Sequence, residues 1–348
     1  MPKCGTQCWL CDLPIRFDTY EGCTHGCTYC FATQKYVSRA RDNFERVSIN
    51  ETAKHLLKFI SGHRAPETRW CDWDIPLHWG GMSDPFQPCE LKHGVSLECL
   101  KVLKDTKYPC VISTKGTSVL TRPEYLDALK GTNIVVQISM ACSSYDDYEV
   151  GAPCFEDRLK ALSKLSAIVP RTIVRIQPYI REHRQEIIEN LPRFRQAGAY
   201  GVIVEAIKRT KAVKGENLVR VGGDLTYPYS VIKEDFLRIK QEAHKAGLRV
   251  FAGENRIRSL GDNLTCCGIE NLPGFVPNVF NLNHFVNGDI TEPTEGMKQP
   301  KSGNCFRSTV ANTIQGRFLQ ENSFAHNMGW YYKNHKNLVL TALGKKVD

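Results

Sequence analysis

Short runs rich in β-branched and aromatic residues alternate with windows of helical periodicity along most of the chain. The strand candidates are Ile15–Glu21, Ile75–Trp79, Pro109–Thr114, Asn133–Ser139, Thr172–Pro178, Gly201–Ala206 and Leu248–Ala252. The helical windows lie at residues 51–62, 94–106, 122–130, 155–168, 185–198 and 233–247. Apolar residues recur in them three or four positions apart, as in Leu159, Leu162 and Leu165. Because each helical crossover returns the chain in the same direction, this alternation predicts a parallel sheet.

The number of strand–helix units predicts the fold class. Six or seven units are fewer than the eight of a closed TIM barrel, so we expect an α/β fold with a partial (βα)6 TIM-type barrel over residues 15–254. We expect residues 1–14 to form an irregular, Cys-rich N-terminal arm. Residues 255–348 lack the alternation of strands and helices, so we expect them to form an irregular C-terminal cap. In parallel barrels the functional site lies at the carboxyl ends of the strands, so the residues after each strand are the candidates.

Composition excludes several classes of protein. The chain has 348 residues, of which 42% are hydrophobic and 24% charged, and these globular values exclude a disordered or low-complexity protein. No apolar run reaches the roughly 18–20 residues of a membrane span. The first residues also lack the apolar region of a signal peptide. We therefore expect a soluble, cytoplasmic protein without membrane partners.

The positive charge is unevenly distributed. Residues 151–260 contain 21 basic and 12 acidic side chains, an excess equal to the net charge of +9 of the whole chain. Such an excess attracts phosphates or nucleic acid, and solvated helix faces are the alternative explanation. Because no nucleic-acid-binding domain is recognisable, a small-molecule substrate is favoured over nucleic acid.

The chain has 15 cysteines, which is an odd number, and we find no secretion signal in it. These features indicate metal binding rather than a disulfide framework. Cys23, Cys27 and Cys30 follow the first strand with the spacing C-x3-C-x2-C, in a loop that also contains Gly22 and Gly26. Three thiolates can hold three irons of a [4Fe–4S] cluster and leave the fourth iron open. An open position is typical of a catalytic metal site, whereas a zinc knuckle lacking one ligand is the alternative.

With Tyr29 before its last cysteine, this loop resembles the cluster-binding motif of the radical S-adenosylmethionine (SAM) superfamily. The resemblance implies that the open iron binds the amino and carboxylate groups of SAM. It implies that an electron from the cluster cleaves SAM to a 5′-deoxyadenosyl radical, which abstracts hydrogen from the substrate. It also implies an anaerobic cytoplasmic setting and a low-potential electron donor such as flavodoxin or ferredoxin.

The same resemblance supplies candidate SAM-binding residues. Residues 79–85, WGGMSDP, lie where the superfamily carries a glycine-rich segment for the methionyl amino group, but Met82 replaces the usual acidic residue. Residues 83–90 and 149–153 look like the branch related to spore photoproduct lyase, in which Lys115 could pair with the carboxylate of SAM. The candidates are Tyr29, Gly80, Gly81, Met82, Ser83, Ser113, Lys115, Ser139, Arg175 and Gln177. For each polar one, an ordinary hydrogen-bonded barrel side chain is the alternative.

A second C-x3-C-x2-C group, formed by Cys4, Cys8 and Cys11, precedes the first strand. It predicts another metal site, either an iron–sulfur cluster or zinc, with a fourth ligand from the cap. The donor candidates are Cys266, Cys267 and Cys305. A metal can join an arm and a cap that have little core of their own. A hydrogen-donating role for the thiol of Cys142, just beyond the fourth strand, also stays open.

Two carboxylates after the last strands are candidate substrate ligands. Glu205 is followed by a basic loop at residues 208–214, and Glu254 follows the seventh strand. A carboxylate can accept hydrogen bonds from the N1–H and amino group of a guanine-like ring. Pairing with Arg256 or Arg258 is the alternative role of Glu254.

The beginning of the barrel, residues 14–23, makes the chain look most like queuine lyase. This resemblance implies cleavage of the C–N bond of queuine, or of a queuosine derivative, to release a preQ1-type 7-deazaguanine for salvage. Two alternatives stay open. One is a radical SAM enzyme that repairs DNA, as spore photoproduct lyase does, or modifies tRNA or a peptide. The other is a non-enzymatic binding module that is stapled by metal.

Overall fold

The computed structural model describes residues 1–4, 10–32, 47–63, 75–211, 215, 217–221, 224–279, 281–287, 336, 337 and 340. Its strands are β1 (Lys3–Cys4), β2 (Ile15–Phe17), β3 (Tyr20–Glu21), β4 (Ser48–Ile49), β5 (Leu77–Trp79), β6 (Cys110–Thr114), β7 (Ile134–Ser139), β8 (Arg171–Tyr179), β9 (Gly201–Ala206), β10 (Val219–Val221), β11 (Asp224–Thr226) and β12 (Arg249–Ala252). Its α-helices are α1 (Ala53–Ile60), α2 (Glu90–His93), α3 (Val95–Thr106), α4 (Thr117–Leu120), α5 (Pro123–Leu129), α6 (Phe155–Ser166), α7 (Arg184–Gln196), α8 (Tyr229–Lys245) and α9 (Leu282–Val286).

Seven parallel strands form the central sheet in the order β2-β5-β6-β7-β8-β9-β12, and β1 pairs antiparallel with β2 at one edge. Helices cross from one parallel strand to the next, so the predicted α/β class with a partial TIM-type barrel is confirmed. Within the described residues, no pairing joins the edge strands β1 and β12, so the sheet stays open. The small pairs β3–β4 and β10–β11 lie outside it.

Alternation along the strands separates two apolar cores. Residues facing the helices, among them Ile112, Val136, Val174 and Val204, belong to the main core. Their neighbours near the amino ends of the strands form an inner core, whose strand residues are Val111, Val135, Ile173, Ile203 and Phe251. The cap residues Cys267, Ile269 and Phe275 join that inner core. On four of these strands a polar residue follows two positions further towards the carboxyl end, namely Ser113, Gln137, Arg175 and Glu205.

The N-terminal arm and the C-terminal cap are joined by a buried polar cluster. Asn281 Nδ2 donates to Asp12 Oδ1 at 2.7 Å, and His284 Nε2 lies 3.1 Å from the same oxygen. Asn283 Nδ2 donates to Leu10 O at 2.8 Å. Buried polar groups need such partners, so this cluster fixes the arm against the cap.

Element boundaries differ from the predictions at a few places. The predicted strand Ile15–Glu21 is two strands, because Asp18 and Thr19 leave the sheet and β3 pairs with β4 instead. The helix predicted at residues 233–247 begins earlier, at Tyr229, directly after Pro228. The arm is not wholly irregular, since β1 extends the sheet, and the cap contains α9 and a 3-10 helix at Asn255–Leu260.

None of the helices described above combines the length and the apolar composition that a bilayer crossing requires.

Candidate active site

The cluster-motif loop begins where β3 ends. Gly22 and Gly26 adopt left-handed backbone conformations, with φ of 88° and 61°, which let the chain turn tightly. Cys23, Cys27 and Cys30 are half-buried thiols, and none of them forms a disulfide. Burial raises the pKa of Cys23 to about 12 and that of Cys27 to about 11. Their thiolate forms therefore require a compensating positive charge, as a bound metal cluster provides.

A buried ion pair anchors this loop to the strand ends. His25 Nε2 lies 3.2 Å from Asp84 Oδ2, and His25 Nδ1 lies 2.9 Å from Gly151 O. The Asp84 carboxylate also accepts hydrogen bonds from Thr114 Oγ1 and from the backbone N–H groups of Phe86, Lys115 and Gly116. Burial opposes ionisation of Asp84, but His25 and these donors lower its pKa to about 2. The charged carboxylate thus holds the loop against the ends of β5 and β6.

Three predicted SAM-binding residues meet beside the loop. The Tyr29 hydroxyl donates to Glu149, which is ion-paired with the fully buried Arg158. Lys115 Nζ lies 3.0 Å from Ser139 Oγ, 3.7 Å from Glu149 Oε1 and 5.6 Å from the centre of the Tyr29 ring. Tyr29, Lys115 and Ser139 therefore surround one position next to the cysteines.

The two glycines after β5 lie close to other parts of the chain. Gly80 has a φ of 89°, and a Cβ there would lie 2.2 Å from the carbonyl oxygen of Ser113. A Cβ at Gly81 would lie 2.2 Å from Arg16 Nη1. Gly80 therefore excludes a larger residue, because its Cβ would meet backbone, whereas a Cβ at Gly81 would require the Arg16 side chain to move.

An acidic residue lies at this segment, but it comes from the end of β2. Asp18 Oδ1 accepts a hydrogen bond from the Met82 N–H at 3.2 Å, and the N–H groups of Ser83 and Gly81 also stabilise its carboxylate. Burial raises the pKa of Asp18 to about 6. The Ser83 hydroxyl donates to Tyr20 O, whereas the Met82 side chain is exposed.

A chain of hydrogen bonds crosses the polar layer inside the barrel. Arg175 Nη1 donates to Ser113 Oγ at 2.9 Å and to Gln137 Oε1 at 2.7 Å. Arg175 Nη2 donates to Gln177 Oε1, and Gln177 Nε2 donates to Glu205 Oε2 at 2.6 Å. Ser113, Arg175, Gln177 and Glu205, all candidates from the sequence, thus form one connected network.

The two candidate substrate carboxylates lie near the same ammonium group. Glu205 is ion-paired with Lys208, and Glu254 is ion-paired with Arg256. Burial lowers the pKa of Lys208, but Glu205 and Glu254 together raise it above its ordinary value. Glu254 Oε2 and Arg256 Nη2 are buried and have no hydrogen-bond partner within the described ranges. A Cβ at Gly253 would lie 2.9 Å from Glu205 Cβ, so the two strand ends approach closely.

A family comparison identifies the family to which this arrangement belongs. The model of the radical SAM superfamily matches residues 17–191, which contain the cysteine loop, the glycine segment and most of the parallel sheet. The chain is a member of the radical SAM superfamily. Membership implies an enzyme whose cofactors are a [4Fe–4S] cluster and SAM.

Curated proteins and a solved structure are also similar to this chain. Uncharacterized proteins of Mycobacterium tuberculosis and Mycobacterium bovis are 25% identical over 217 residues, which is 58% of this chain. The match covers 62% of the length of these curated relatives. A solved structure, native anSMEcpe with bound AdoMet and Kp18Cys peptide, aligns with a TM-score of 0.45 at 10% identity, over 94% of this chain and 99% of that one.

The described residues fit the radical SAM cofactors. Cys23, Cys27 and Cys30 offer three half-buried thiols in one tight loop, which suits three of the four irons of a [4Fe–4S] cluster. The cationic Lys115 lies beside that loop and suits the carboxylate of a bound ligand. When bound, the cluster supplies the electron that cleaves SAM to a 5′-deoxyadenosyl radical.

Part of the second cysteine group also comes together in this radical SAM chain. Cys11 and Cys266 interact electrostatically, and Cys266 is hydrogen-bonded to Cys267 and to Arg258. The hydrogen bond to Cys267 and the Arg258 guanidinium lower the pKa of Cys266 to about 6, against the effect of burial. Cys8, Cys305 and the side chain of Cys4 lie outside the described residues.

Three residues that hold the cysteine loop and the segment after β5 in place have no role in the sequence-based predictions. The pattern places Asp18 inside a predicted strand, and His25 and Asp84 lie within motifs whose other residues are the candidates. The signal was present for Asp84, because a lone carboxylate between a glycine-rich turn and Pro85 is suited to accept backbone N–H groups. Glu149 and Arg158 both belong to the stretch that resembles the spore photoproduct lyase branch, but their spacing of nine positions does not predict that they form an ion pair.

Proposed function

We propose that the chain is a radical SAM lyase that cleaves the C–N bond of queuine, or of a queuosine derivative, and releases a preQ1-type 7-deazaguanine. The buried, unpartnered Glu254 Oε2 at the barrel mouth carries this proposal, together with the resemblance of residues 14–23 to queuine lyase. A buried carboxylate oxygen without a donor is costly, and a ligand N–H would relieve that cost.

The substrate class follows from the chemistry of the two carboxylates. A 7-deazaguanine presents N1–H and an amino group on one edge, and a carboxylate oxygen accepts from such donors. Glu254 offers the unpartnered oxygen, and Glu205 lies close by in the network that reaches Arg175. Lys208 partly neutralises both carboxylates, so a neutral base is accommodated without a further cation.

The SAM site of this proposal lies between the cysteine loop and the ends of β5 to β8. Lys115 pairs with the carboxylate of SAM, and Ser139 and Tyr29 orient that lysine. The backbone of residues 80–83 receives the methionyl amino group through its carbonyl oxygens. Asp18 stabilises that segment because its carboxylate accepts hydrogen bonds from the backbone N–H groups of the segment. Gln177 links the SAM side of the barrel to Glu205 on the substrate side.

Incubation of the anaerobically reconstituted enzyme with SAM, dithionite and queuine tests this proposal. We expect queuine-dependent 5′-deoxyadenosine together with preQ1, both detected by mass spectrometry. Deoxyadenosine that forms without preQ1 would remove queuine as the substrate. The alternative substrates, a DNA photoproduct, tRNA or a peptide, would then be assayed in the same way, and nucleic-acid binding would show a steep salt dependence.

Glu254→Gln is expected to lower kcat/KM for queuine by about 10–100-fold, because one acceptor oxygen becomes an amide that cannot accept from a second N–H. The measurement is preQ1 formation at several queuine concentrations. Glu98→Gln is the matched control, since Glu98 is exposed on α3 and pairs only with Lys101 among the described contacts. Equal kinetics for Glu254→Gln and the unmodified enzyme would contradict the role of Glu254.

Asp18→Asn is expected to weaken SAM binding by about 5–30-fold, which corresponds to the loss of about 1–2 kcal/mol of hydrogen bonding. The amide turns an N–H donor towards the N–H groups of residues 81–83, so the segment loses its fixed conformation. Equilibrium dialysis with SAM measures the effect, and Asp105→Asn, a change at an exposed residue, is the control. An unchanged dissociation constant would mean that Asp18 does not support the SAM site.

The second cysteine group is proposed to bind a separate metal, either iron–sulfur or zinc, through Cys11, Cys266 and Cys267, with Cys4 and Cys8 completing the set. The proposal is supported by the position of these thiols, because Cys11 of the arm interacts with Cys266 of the cap beside the polar cluster around Asp12. Iron and zinc counts in Cys266→Ser, compared with the unmodified protein, test it. An unchanged metal content would contradict the assignment.

A further inference from the structure

A second cluster of metal-ligating side chains lies outside the proposed radical SAM site. Cys142 follows β7, His183 lies in the 3-10 turn after β8, and Glu186 lies in the first turn of α7. One ligand atom from each, a sulfur, a nitrogen and an oxygen, lies within 4.8 Å of the other two. Within the described residues this is a meeting of three different ligand types that the proposed chemistry does not use.

We propose that Cys142, His183 and Glu186 bind one zinc ion. Zinc accepts thiolate, imidazole and carboxylate ligands together, at about 2.0–2.3 Å, in tetrahedral geometry. Ligands at those distances are separated by about 3.3–3.8 Å, so the three atoms, which lie within 4.8 Å of one another, would approach by at most about 1.5 Å. Three protein ligands leave the fourth position for water.

A hydrogen bond joins two of the three ligands. The Cys142 thiol is hydrogen-bonded to the Glu186 carboxylate, so a proton lies between the sulfur and the oxygen. Zinc binding displaces that proton to solvent and leaves a thiolate and a carboxylate on the metal. The two negative charges balance the 2+ charge of the ion, and His183 binds as the neutral imidazole.

The groups around the cluster hold its ligands in position. Ser143 Oγ donates to Glu186 Oε1 at 2.6 Å and the Ser144 N–H donates to the same oxygen at 3.2 Å, while Ser144 Oγ donates to Oε2 at 2.5 Å. These three bonds leave acceptor capacity on the carboxylate, which has about four lone-pair sites. Outer partners of this kind orient ligands in metal sites and strengthen binding.

Aromatic rings fix His183 and connect the cluster to the cysteine loop. The His183 ring packs edge-on against Tyr145 and Tyr148, with centres 5.5 and 5.7 Å away, and Tyr148 Oη lies 3.2 Å from His183 Nε2. Tyr148 also packs against Tyr29, and its carbonyl oxygen accepts the Thr28 N–H at 2.9 Å. The ion would therefore fix His183 beside Tyr148, a residue that directly contacts the cysteine loop.

Zinc counting on the cluster-loaded protein tests the site. The protein is reconstituted with iron and sulfide, incubated with zinc and desalted, and its metals are counted by plasma mass spectrometry. We expect Cys142→Ser to retain one zinc fewer per chain than the unmodified protein. Cys154→Ser, at an exposed thiol beside Asp157, is expected to retain the same number, and so is Cys266→Ser when its own site holds iron.

A second variant keeps the test decisive if the serine disturbs folding. Glu186→Gln preserves an acceptor for Ser143 and Ser144 but removes the charge. Its zinc dissociation constant is measured by competition with a chromophoric chelator. We expect this constant to rise by more than the 10–100-fold that is typical when a residue hydrogen-bonded to a metal ligand is changed. Equal zinc content and affinity in both variants and the unmodified protein would overturn the proposal. Zinc lost only in Cys266→Ser would overturn it as well and assign the ion to the arm and cap.

Discussion

Cys27→Ala is expected to abolish the reductive cleavage of SAM while the barrel stays folded. The side chain is one of three thiols available to the cluster in the loop, and two cysteines leave two irons of a [4Fe–4S] cluster without protein ligands. The loop lies outside the parallel sheet, and its anchors, His25 and Asp84, stay intact. 5′-Deoxyadenosine formation with SAM and dithionite, measured on reconstituted protein, is expected to fall below detection.

The control for this prediction is Cys154→Ala, which removes an exposed thiol and is expected to leave SAM cleavage unchanged. Circular dichroism of both variants checks that the fold is retained. If Cys27→Ala still formed deoxyadenosine at the unmodified rate, the assignment of the loop as the cluster site would be wrong.

Asp84→Asn is expected to destabilise the protein by about 3–5 kcal/mol, because it removes one charge of a buried, hydrogen-bonded pair. Asp84 is ion-paired with His25 and accepts hydrogen bonds from Thr114 and three backbone N–H groups, and an amide cannot satisfy all of these partners. Urea unfolding of the two proteins measures the difference in unfolding free energy. Asp147→Asn, at an exposed site in the same region, is expected to change stability by less than about 0.5 kcal/mol.

The pH dependence of this difference follows from the lowered pKa of Asp84. The pKa is about 2 in the folded protein and 3.8 when unperturbed, so the stabilisation by the charged carboxylate is fully present above about pH 5. It is lost progressively as the pH falls from about 5 to about 2, because the unfolded chain takes up the proton before the folded protein does. The difference in unfolding free energy between Asp84→Asn and the unmodified protein is therefore expected to become smaller as the pH falls from about 5 to about 3. A free-energy difference that stays constant or increases over this pH range would show that the Asp84 charge is not stabilised by its partners.

The sequence predicted the sheet well because the strand signal is local. Each parallel strand is a short β-rich run between amphipathic helices, and Gly201–Ala206 begins and ends where the pattern indicates. The cluster site was predictable for the same reason, since Cys23, Cys27 and Cys30 lie in one short loop. The partial barrel and the radical SAM family therefore followed from neighbouring residues.

Pairs that meet only in the folded chain were not predictable in this way. Asp18 supports the segment around Met82, 64 positions away, and Asp84 pairs with His25 across the barrel mouth. The pairing of Glu254 with Arg256 was anticipated as the alternative role of that carboxylate, whereas the unpartnered Oε2 required the fold. Such contacts depend on how the strand ends are arranged in space, which periodicity does not encode.

The central claim is that the three cysteines hold a [4Fe–4S] cluster with an iron open to SAM. Electron paramagnetic resonance of the anaerobically reduced protein, recorded before and after SAM is added, tests it most directly. The account predicts a [4Fe–4S]+ signal whose g values change on addition of SAM, followed by loss of the signal as deoxyadenosine forms. A fully loaded cluster whose spectrum is the same with and without SAM, and which forms no deoxyadenosine, would contradict it.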